Sequence, residues 1–491
     1  MTDAPSRANR NGGLALAVIC VAHLMVILDA TVVNVALPSI RDDLDFSVNN
    51  LTWVVTAYSL TFGGLLLFGG RTGDIFGRRR MFMIGVGLFA GASLLGGFAN
   101  SDTMLVIARA AQGAGGAIAA PTALALLATT FTEPAARGRA FGVFAAMGAS
   151  GGAFGLLVGG VLTDYASWRW ALFINVPIGA IVLLLTPRVL SESQGSGKKL
   201  DLPGALTVTA GMSTLVYGLT KASSDGWGST TTIVTLASAA ALLAAFVLIE
   251  HFTTHPLMPF RVFSDRNRTG AYLIMLFLAA AMFTTFYFMA QYQQNVHGWS
   301  PFRTGVGFLP MPATVMIMSV VVVRRAIPRL GIRPFLTAGP ILAITAMISF
   351  SQLDASSSYW PFLGSLLLFG LGMGCVFVPL TMTAVNGVAP DETGLSSALL
   401  NTGQQVGGAI GLAAFGTVFA HASAERATQI GNRVSTAAGQ ADVFVAGQHH
   451  AFQAAIVAAA LALITSLAFI RVNKVIPPVA PVAETVIVLA D

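Results

Sequence analysis

The sequence predicts an all-α protein that crosses a membrane about fourteen times. Of its 491 residues, 55% are hydrophobic and only 10% are charged, whereas soluble domains carry about 25% charged residues. The mean hydropathy is +0.75. Apolar runs of about 20 residues, the length that a helix needs to cross a bilayer, recur along the whole chain. The composition therefore excludes a soluble protein held by a single anchor.

The spans follow from the apolar runs and the polar breaks between them. The first run is longer than the apolar region of a signal peptide and leads straight into further spans, so we expect it to be a membrane helix. The predicted spans are residues 14–37, 51–70, 81–99, 104–128, 140–163, 169–188, 203–220, 231–249, 270–291, 304–323, 335–352, 360–388, 394–420 and 451–470.

The distribution of basic residues predicts the orientation. Membrane proteins carry an excess of Lys and Arg in their cytoplasmic loops. With the N-terminus in the cytoplasm, most of the 27 Lys and Arg residues fall on that side. We therefore expect a multi-pass protein of the cell membrane with both termini cytoplasmic. Its partner is the lipid bilayer, and the net charge of +6 does not indicate nucleic acid. The basic residues predicted to lie outside are Arg41, Arg169, Lys221, Arg303, Arg426 and Arg433.

An internal repeat predicts two related halves. Gly138 and the glycine-rich run 151–155 recur 256 positions later as Gly394 and the run 407–411. This displacement of eight spans predicts two six-helix halves separated by a two-helix insert, with a substrate site near the midplane between the halves. The predicted boundaries are 1–190 for the N-terminal half, 191–268 for the linker and insert, 269–471 for the C-terminal half and 472–491 for a cytoplasmic tail.

The first span contains Asp29, the only carboxylate inside the predicted spans. A carboxylate at the bilayer centre costs about 2.5–3.5 kcal/mol on insertion scales, and such residues mark proton or ion pathways. Arg109 lies at a compatible depth in the fourth span, where it would keep Asp29 ionised until the contact is lost. The sequence predicts a switchable proton site. The alternatives are a fixed structural ion pair and an Arg109 that only donates hydrogen bonds to carbonyl groups.

The connection between the second and third spans combines glycine, one acid and a basic cluster. It reads GRTGDIFGRRR over residues 70–80, and by itself it fits a positively charged cytoplasmic anchor. It also resembles the G-x-L-A-D-R-x-G-R-K signature of the major facilitator superfamily. The residues that match, or keep the final charge, are Gly70, Asp74, Gly77, Arg78 and Arg79.

That resemblance implies a gating connection. We expect Asp74 and the arginines to hold the cytoplasmic side shut through charge contacts with the second half, near Asp391 and Glu392.

Further motifs resemble the fourteen-span drug:proton antiporters, the EmrB/QacA-like group. They are LDATVVNVALP at 28–38, WRWALFINVPIG at 168–179 and HPLMPFRVFSDR at 255–266. Arg109 and Gln112 begin an R-x-x-Q-G-x-x-G pattern in the fourth span. The fifth span is similar to the antiporter signature G-x-x-x-G-P-x-x-G-G, with Leu156 where the family has Pro. Its signature glycines are Gly151, Gly155, Gly159 and Gly160.

The resemblance implies proton-coupled efflux of hydrophobic drugs or antibiotics by alternating access. The partners would be protons and a small hydrophobic or cationic substrate, and the protein would be a monomer. No cofactor is implied, because the proton gradient drives transport. The glycines of the fifth span would form a hinge and seal, although plain helix packing explains each of them equally well.

A substrate cavity should be mostly apolar and aromatic, with a few polar groups. For each single candidate, ordinary interior packing is a stronger interpretation than a contact with substrate. The candidates are Asn34, Tyr58, Gln112, Phe283, Tyr287, Gln291, Asn401 and Gln404.

Other function classes fit less well. The run 195–199 lacks the spacing and the Ser or Thr of a phosphate loop, so an ATP-driven pump is not indicated. No metal-ligand cluster or nucleophile pattern indicates an enzyme. Export of an endogenous metabolite, metabolite uptake or facilitated diffusion, and a sensor that no longer transports stay open as alternatives.

Overall fold

The computed structural model consists of helices joined by short connections. Fourteen of these helices are long within the part of the chain that the structure describes. The predicted tail 472–491 and most of the predicted linker lie outside that part. The described residues are 7–44, 46, 53–193, 201–253, 256–322, 326–386, 388 and 392–471.

Twelve helical segments of the described residues are long and apolar enough to cross a membrane. Helices α5 and α7, with 32 and 24 residues, are also long enough, so the predicted number of spans agrees approximately with the structure. The long helices are α1 Arg7–Asp43, α2 Trp53–Phe76, α3 Arg78–Gly97, α4 Asp102–Thr130, α5 Pro134–Tyr165, α6 Asn175–Val189, α7 Leu202–Asp225, α8 Thr230–Phe252, α9 Arg266–Gln291, α10 in two segments Pro301–Phe308 and Pro310–Val321, α11 Arg333–Phe350, α12 Tyr359–Val385, α13 Thr393–Ile430 and α14 Ala437–Phe469.

The last two helices extend past the predicted spans. We expected them to end at residue 420 and to begin at residue 451, but α13 continues to Ile430 and α14 begins at Ala437. The apolar run marks only the part of a helix that meets lipid. Beyond it, an ion pair of 2.8 Å between Arg426 and Asp442 joins the two helices. The Thr436 hydroxyl accepts a hydrogen bond from the Gly439 N–H and caps α14.

The helices form two bundles and an insert. Helices α1–α6 pack together as the first bundle, and α9–α14 pack together as the second. The insert, α7 and α8, packs on both bundles, because α7 contacts α2 and α13 along its length. The domain boundaries given above stay a prediction. The apolar residues that join the insert to both bundles include Leu67, Ala205, Val208, Met212, Phe246, Leu395 and Ala398.

The predicted connection at residues 70–80 is almost entirely helical, contrary to our expectation of a loop. Helix α2 continues to Phe76, α3 begins at Arg78, and only Gly77 separates them. Gly77 has a φ of 99°, which a residue with a side chain rarely adopts. This one-residue turn fixes the positions of Asp74 and Arg78. We use "basic end" for the end of the molecule that carries Arg71, Arg78, Arg79 and Arg80, and "opposite end" for the other.

Candidate functional site

Asp29 lies at the centre of a buried hydrogen-bond network in the first bundle. Its Oδ2 atom is 2.5 Å from Arg109 NH1. Its Oδ1 atom accepts hydrogen bonds from Gln112 Nε2 at 2.9 Å and from Asn175 Nδ2 at 2.8 Å. The Asp29 side chain is 0% exposed. The predicted neighbours Asp29 and Arg109 are therefore in direct contact, although their role in coupling stays a prediction.

Arg109 has partners on three sides. Its Nε atom donates to the Val54 carbonyl oxygen at 3.0 Å, and NH1 donates to Gln112 Oε1 at 2.9 Å. The guanidinium carbon lies 4.4 Å from the centre of the Tyr58 ring, within the range of a cation–π contact. Arg109 therefore does both of the things that the sequence suggested, because it forms an ion pair with Asp29 and also donates a hydrogen bond to a carbonyl group.

The network suits an ionised Asp29. An ionised carboxylate only accepts hydrogen bonds, and its two oxygens here receive three donors, from Arg109, Gln112 and Asn175. A protonated Asp29 would itself be a donor, so at least one of these donors would have to turn away. Proton binding at Asp29 would therefore be coupled to a rearrangement of its neighbours.

Two members of the network were absent from the sequence prediction. Asn175 donates to Asp29, and Ser93 Oγ accepts from Gln112 Nε2 at 2.6 Å. Asn175 lies inside the motif 168–179, where an amide in an apolar run was a usable signal. Ser93 gave no such signal, because a serine in a membrane helix can satisfy itself by bonding its own backbone.

The glycines of α5 allow close contact with the helix that carries Asp29. A Cβ atom on Gly151 would lie 2.5 Å from Ile27 Cγ2, and one on Gly159 would lie 3.1 Å from Val32 Cα. A Cβ on Gly155 would overlap Thr31 Oγ1. The fourth predicted glycine, Gly160, faces α10 of the second bundle.

Replacing Gly155 with Ala should therefore push α1 away from α5. We expect a loss of about 1–3 kcal/mol of stability, the usual range for overpacking, together with slower transport. Gly91→Ala in α3 is the control, because a Cβ there would meet no described atom within 4 Å. Thermal melting and transport rates of the two purified variants test this. Equal behaviour of the two variants would contradict the close-contact interpretation.

The two bundles touch at the basic end through Asp74. Its Oδ1 and Oδ2 atoms accept hydrogen bonds from the Gly394 and Leu395 N–H groups, both at 3.1 Å. Arg78 NH2 lies 2.9 Å from Asp74 Oδ1. A Cβ on Gly70 would lie 2.5 Å from the Ala398 Cβ, so α2 and α13 are in close contact. The basic end is closed in this conformation.

The partners of Asp74 and Arg79 differ from the expected ones. Asp74 does contact the second bundle, but it binds backbone N–H groups at the start of α13 rather than charged side chains. Arg79 instead lies 3.5 Å from Glu192 of its own bundle. Glu392 accepts a hydrogen bond from Arg261 Nε at 2.9 Å, and Asp391 lies outside the described residues.

The predicted cavity residues are divided between the two bundles, and their role in binding stays a prediction. Tyr58 and Gln112 belong to the Asp29 network. Phe283 packs at Gly408, and Asn401 Nδ2 donates to the Ser397 carbonyl oxygen at 2.9 Å. The remaining candidates are Tyr287, which is half exposed, Gln291, which accepts from Asn295, Gln404, which is partly buried, and Asn34, whose side chain lies outside the described part.

A separate apolar crevice of about 10 Å³, with room for about one water molecule, lies between α9 and α12. It is wholly aliphatic and aromatic, and our eight candidates do not line it. The sequence prediction missed it because apolar residues of this kind occur throughout the spans. Its lining residues are Met275, Leu278, Ala279, Met282, Met373, Val376, Phe377 and Leu380.

Two helical bundles joined by an insert, with a buried Asp–Arg pair in one bundle and a close contact between the bundles at the basic end, describe a multi-pass membrane transporter. The family model of the Major Facilitator Superfamily matches residues 19–412. The chain therefore belongs to this superfamily.

Several bacterial transporters resemble the chain over most of their length. The puromycin resistance protein pur8 of Streptomyces alboniger is 43% identical over 414 residues, which is 83% of this chain and 82% of that protein. The cephamycin export protein CmcT of Amycolatopsis lactamdurans is 41% identical over 82% of this chain and 84% of its own. The uncharacterized transporter EfpA of Mycobacterium tuberculosis is 39% identical over 88% and 80%.

The fold also resembles a solved structure. The human organic anion transporter MFSD10 superposes with a TM-score of 0.65 over 93% of this chain and 99% of that chain. The sequences are only 15% identical, so this likeness bears on the fold alone.

Proposed function

We propose that the protein exports hydrophobic drugs or antibiotics across the cell membrane in exchange for protons. The observation that carries this proposal is the buried contact between Asp29 and Arg109, because a membrane carboxylate with a removable partner can bind and release a proton. Relatives named for puromycin resistance, cephamycin export and lincomycin resistance support the class of cargo. In this proposal the basic end and both termini face the cytoplasm.

Helix α5 provides the connection from Asp29 to the second bundle. One of its faces contacts α1 next to Asp29 through Gly151 and Gly155. Another face approaches the second bundle, since a Cβ on Gly152 would lie 3.8 Å from Phe286 and one on Gly160 would lie 3.6 Å from the Phe302 nitrogen. A rearrangement of α1 on protonation would therefore shift α5 and its contacts with α9 and α10.

The contact of Asp74 with the start of α13 serves in this proposal as the gate, and it supplies the second state. When α5 moves the second bundle, the N-terminus of α13 would leave Asp74 and open the basic end. Cargo would then bind from the cytoplasm, and the release of the Asp29 proton would return the bundles to the closed arrangement. Alternating access of this kind needs two discrete packings of the same bundles.

The apolar crevice favours hydrophobic cargo. Cargo would enter it only after α9 and α12 separate, because in this conformation it has room for about one water molecule. It has three methionines among its lining residues, and methionine side chains adapt to ligands of different shape. Asp29 is fully buried in the other bundle and is paired with Arg109. We therefore expect recognition to depend mainly on apolar surface, and a cationic group on the cargo to be tolerated rather than required.

Proteoliposomes test the coupling. One proton moving down 100 mV supplies about 2.3 kcal/mol, so an imposed proton gradient should drive uphill movement of cargo in the opposite direction. Added cargo should in turn evoke proton movement. A panel of neutral, cationic and anionic antibiotics identifies the cargo. Equilibration of cargo without proton movement, unchanged by an uncoupler, would instead favour facilitated diffusion of a metabolite or of a self-made compound.

A further inference from the structure

Two buried carboxylates meet at the basic end of the insert. Asp201 precedes α7, and Glu250 lies in the last turn of α8; they are 7% and 3% exposed. Asp201 Oδ1 accepts a hydrogen bond from the Gly204 N–H at 3.0 Å and caps α7. Glu250 Oε1 and Oε2 accept from the Leu257 and Met258 N–H groups at 3.0 and 2.9 Å.

One oxygen of each carboxylate faces the same point. A Cβ atom on Gly204 would lie 2.8 Å from Glu250 Oε1 and would also overlap Asp201 Oδ2. Asp201 Oδ2 is buried and has no hydrogen-bond partner among the described residues. A buried acceptor without a donor is costly, and two ionised carboxylates this close repel each other. A proton between these two oxygens removes both costs.

We propose that Asp201 and Glu250 share one proton, held between Asp201 Oδ2 and Glu250 Oε1, and that this site holds the insert against the gate at the basic end. The site is separate from Asp29 and does not depend on the proposed coupling there. Its ligand is the proton itself.

The segment that Glu250 binds lies where the two bundles meet. The Leu257 and Met258 side chains are buried in the apolar cluster that includes Leu67 of α2 and Leu395 of α13. Arg71 NH2 donates to the Pro256 carbonyl oxygen at 3.4 Å. Asp74 binds the N–H of the same Leu395. The carboxylate pair therefore anchors a segment that contacts both sides of the closed gate.

Several charged and titratable groups lie near the Asp201–Glu250 pair. Arg71 lies on the α2 side, and the Arg261–Glu392 pair lies at the start of α13. His251 follows Glu250 and stacks edge-on against Phe252. The remaining basic residues near Asp201 in the chain, Lys198 and Lys199, lie outside the described residues. A proton that is held more tightly in the folded than in the unfolded state raises the free energy of unfolding at low pH. This contribution is lost as the pH rises.

Melting of the purified full-length protein between about pH 5 and about pH 9 tests the shared proton. The wild-type melting temperature should fall by a few degrees as pH rises through this window. Asp201→Asn should flatten that fall, because Asn keeps the cap on Gly204 and donates an N–H toward Glu250 without titrating. Glu250→Gln should flatten it as well. Asp265→Asn is the matched control, since Asp265 caps α9 in the same way by accepting from the Arg268 N–H.

Infrared spectra give a readout that does not depend on transport. At neutral pH the wild type should show the carbonyl stretch of a protonated carboxyl group, and Glu250→Gln should lose it. The proposal is overturned if both variants keep the wild-type pH dependence and spectrum. It is also overturned if Na⁺, K⁺ or Mg²⁺ raises the melting temperature of the wild type but not of Asp201→Asn, because the pair would then hold a cation.

Discussion

Replacing Asp29 with Asn should abolish uphill export and the proton movement that accompanies it. Asn has nearly the shape of Asp but cannot take up a proton near neutral pH. A neutral cargo should still bind, because the proposed apolar crevice lies in the other bundle. Export should fall to the level of wild-type protein treated with an uncoupler, which we expect to be at least about tenfold lower, given the 2.3 kcal/mol per proton available at about 100 mV.

The interpretation of Asp29 as a fixed structural pair predicts a different result. In Asp29→Asn, the Asn amide nitrogen would face a donor from Gln112 or Asn175, and Arg109 would be left as a buried charge without its counterion. Breaking a buried pair in this way costs about 3–5 kcal/mol. Expression and melting temperature would then fall together with transport.

Melting and proton movement measured on the same preparation separate the two interpretations. Asp42→Asn is the control, because Asp42 is also on α1 but its pair with Arg41 is on the surface, with 68% of the Asp42 side chain exposed. That exposed pair contributes little, so the control should behave like the wild type. A stable Asp29→Asn protein that still exchanges protons for cargo would exclude Asp29 as the proton carrier.

The contact between Asp29 and Arg109 could be predicted from the sequence because placing a charged side chain inside a membrane span costs free energy. Charged residues are rare in apolar spans, and their depths follow from the rise of 1.5 Å per residue. Asn175 and Ser93 complete the same network but resemble many other small polar residues in the chain. Sequence reasoning therefore singled out the charged pair and Gln112, and it missed Asn175 and Ser93.

The gate shows a different limit of sequence reasoning. The residues at 70–80 were recognised from their pattern, yet the partner of Asp74 is a pair of backbone N–H groups, which every residue except proline carries. Only the docking of α2 against α13 identifies those two N–H groups. The crevice was hidden for a similar reason, because its apolar lining has the same composition as ordinary helix packing.

Replacing Asp74 with Asn should weaken the closed state of the basic end. The Asn side chain has one good acceptor where Asp74 uses two oxygens to bind the Gly394 and Leu395 N–H groups. Arg78 would also lose its buried counterion. The pair with Arg78 lies within the first bundle and is lost in both states, so the bias comes from the weakened contact with α13. One hydrogen bond to a charged group is worth about 1.5–3 kcal/mol, which changes the ratio of two conformations roughly 10- to 150-fold. We expect slow turnover in a protein that remains folded.

Glu192→Gln separates this effect from a general loss of stability. The Glu192 carboxylate accepts hydrogen bonds from the Arg79 and Arg80 N–H groups, both at 3.0 Å, and so makes the same kind of contact within one bundle. Spin labels at Arg80→Cys and Arg329→Cys would report the distance between the bundles at the basic end. Asp74→Asn should broaden that distance distribution toward longer values, because its contact joins the bundles. Glu192→Gln should lower the melting temperature and leave the distances unchanged, and the same opening in both variants would show that Asp74 is not the specific contact of the gate.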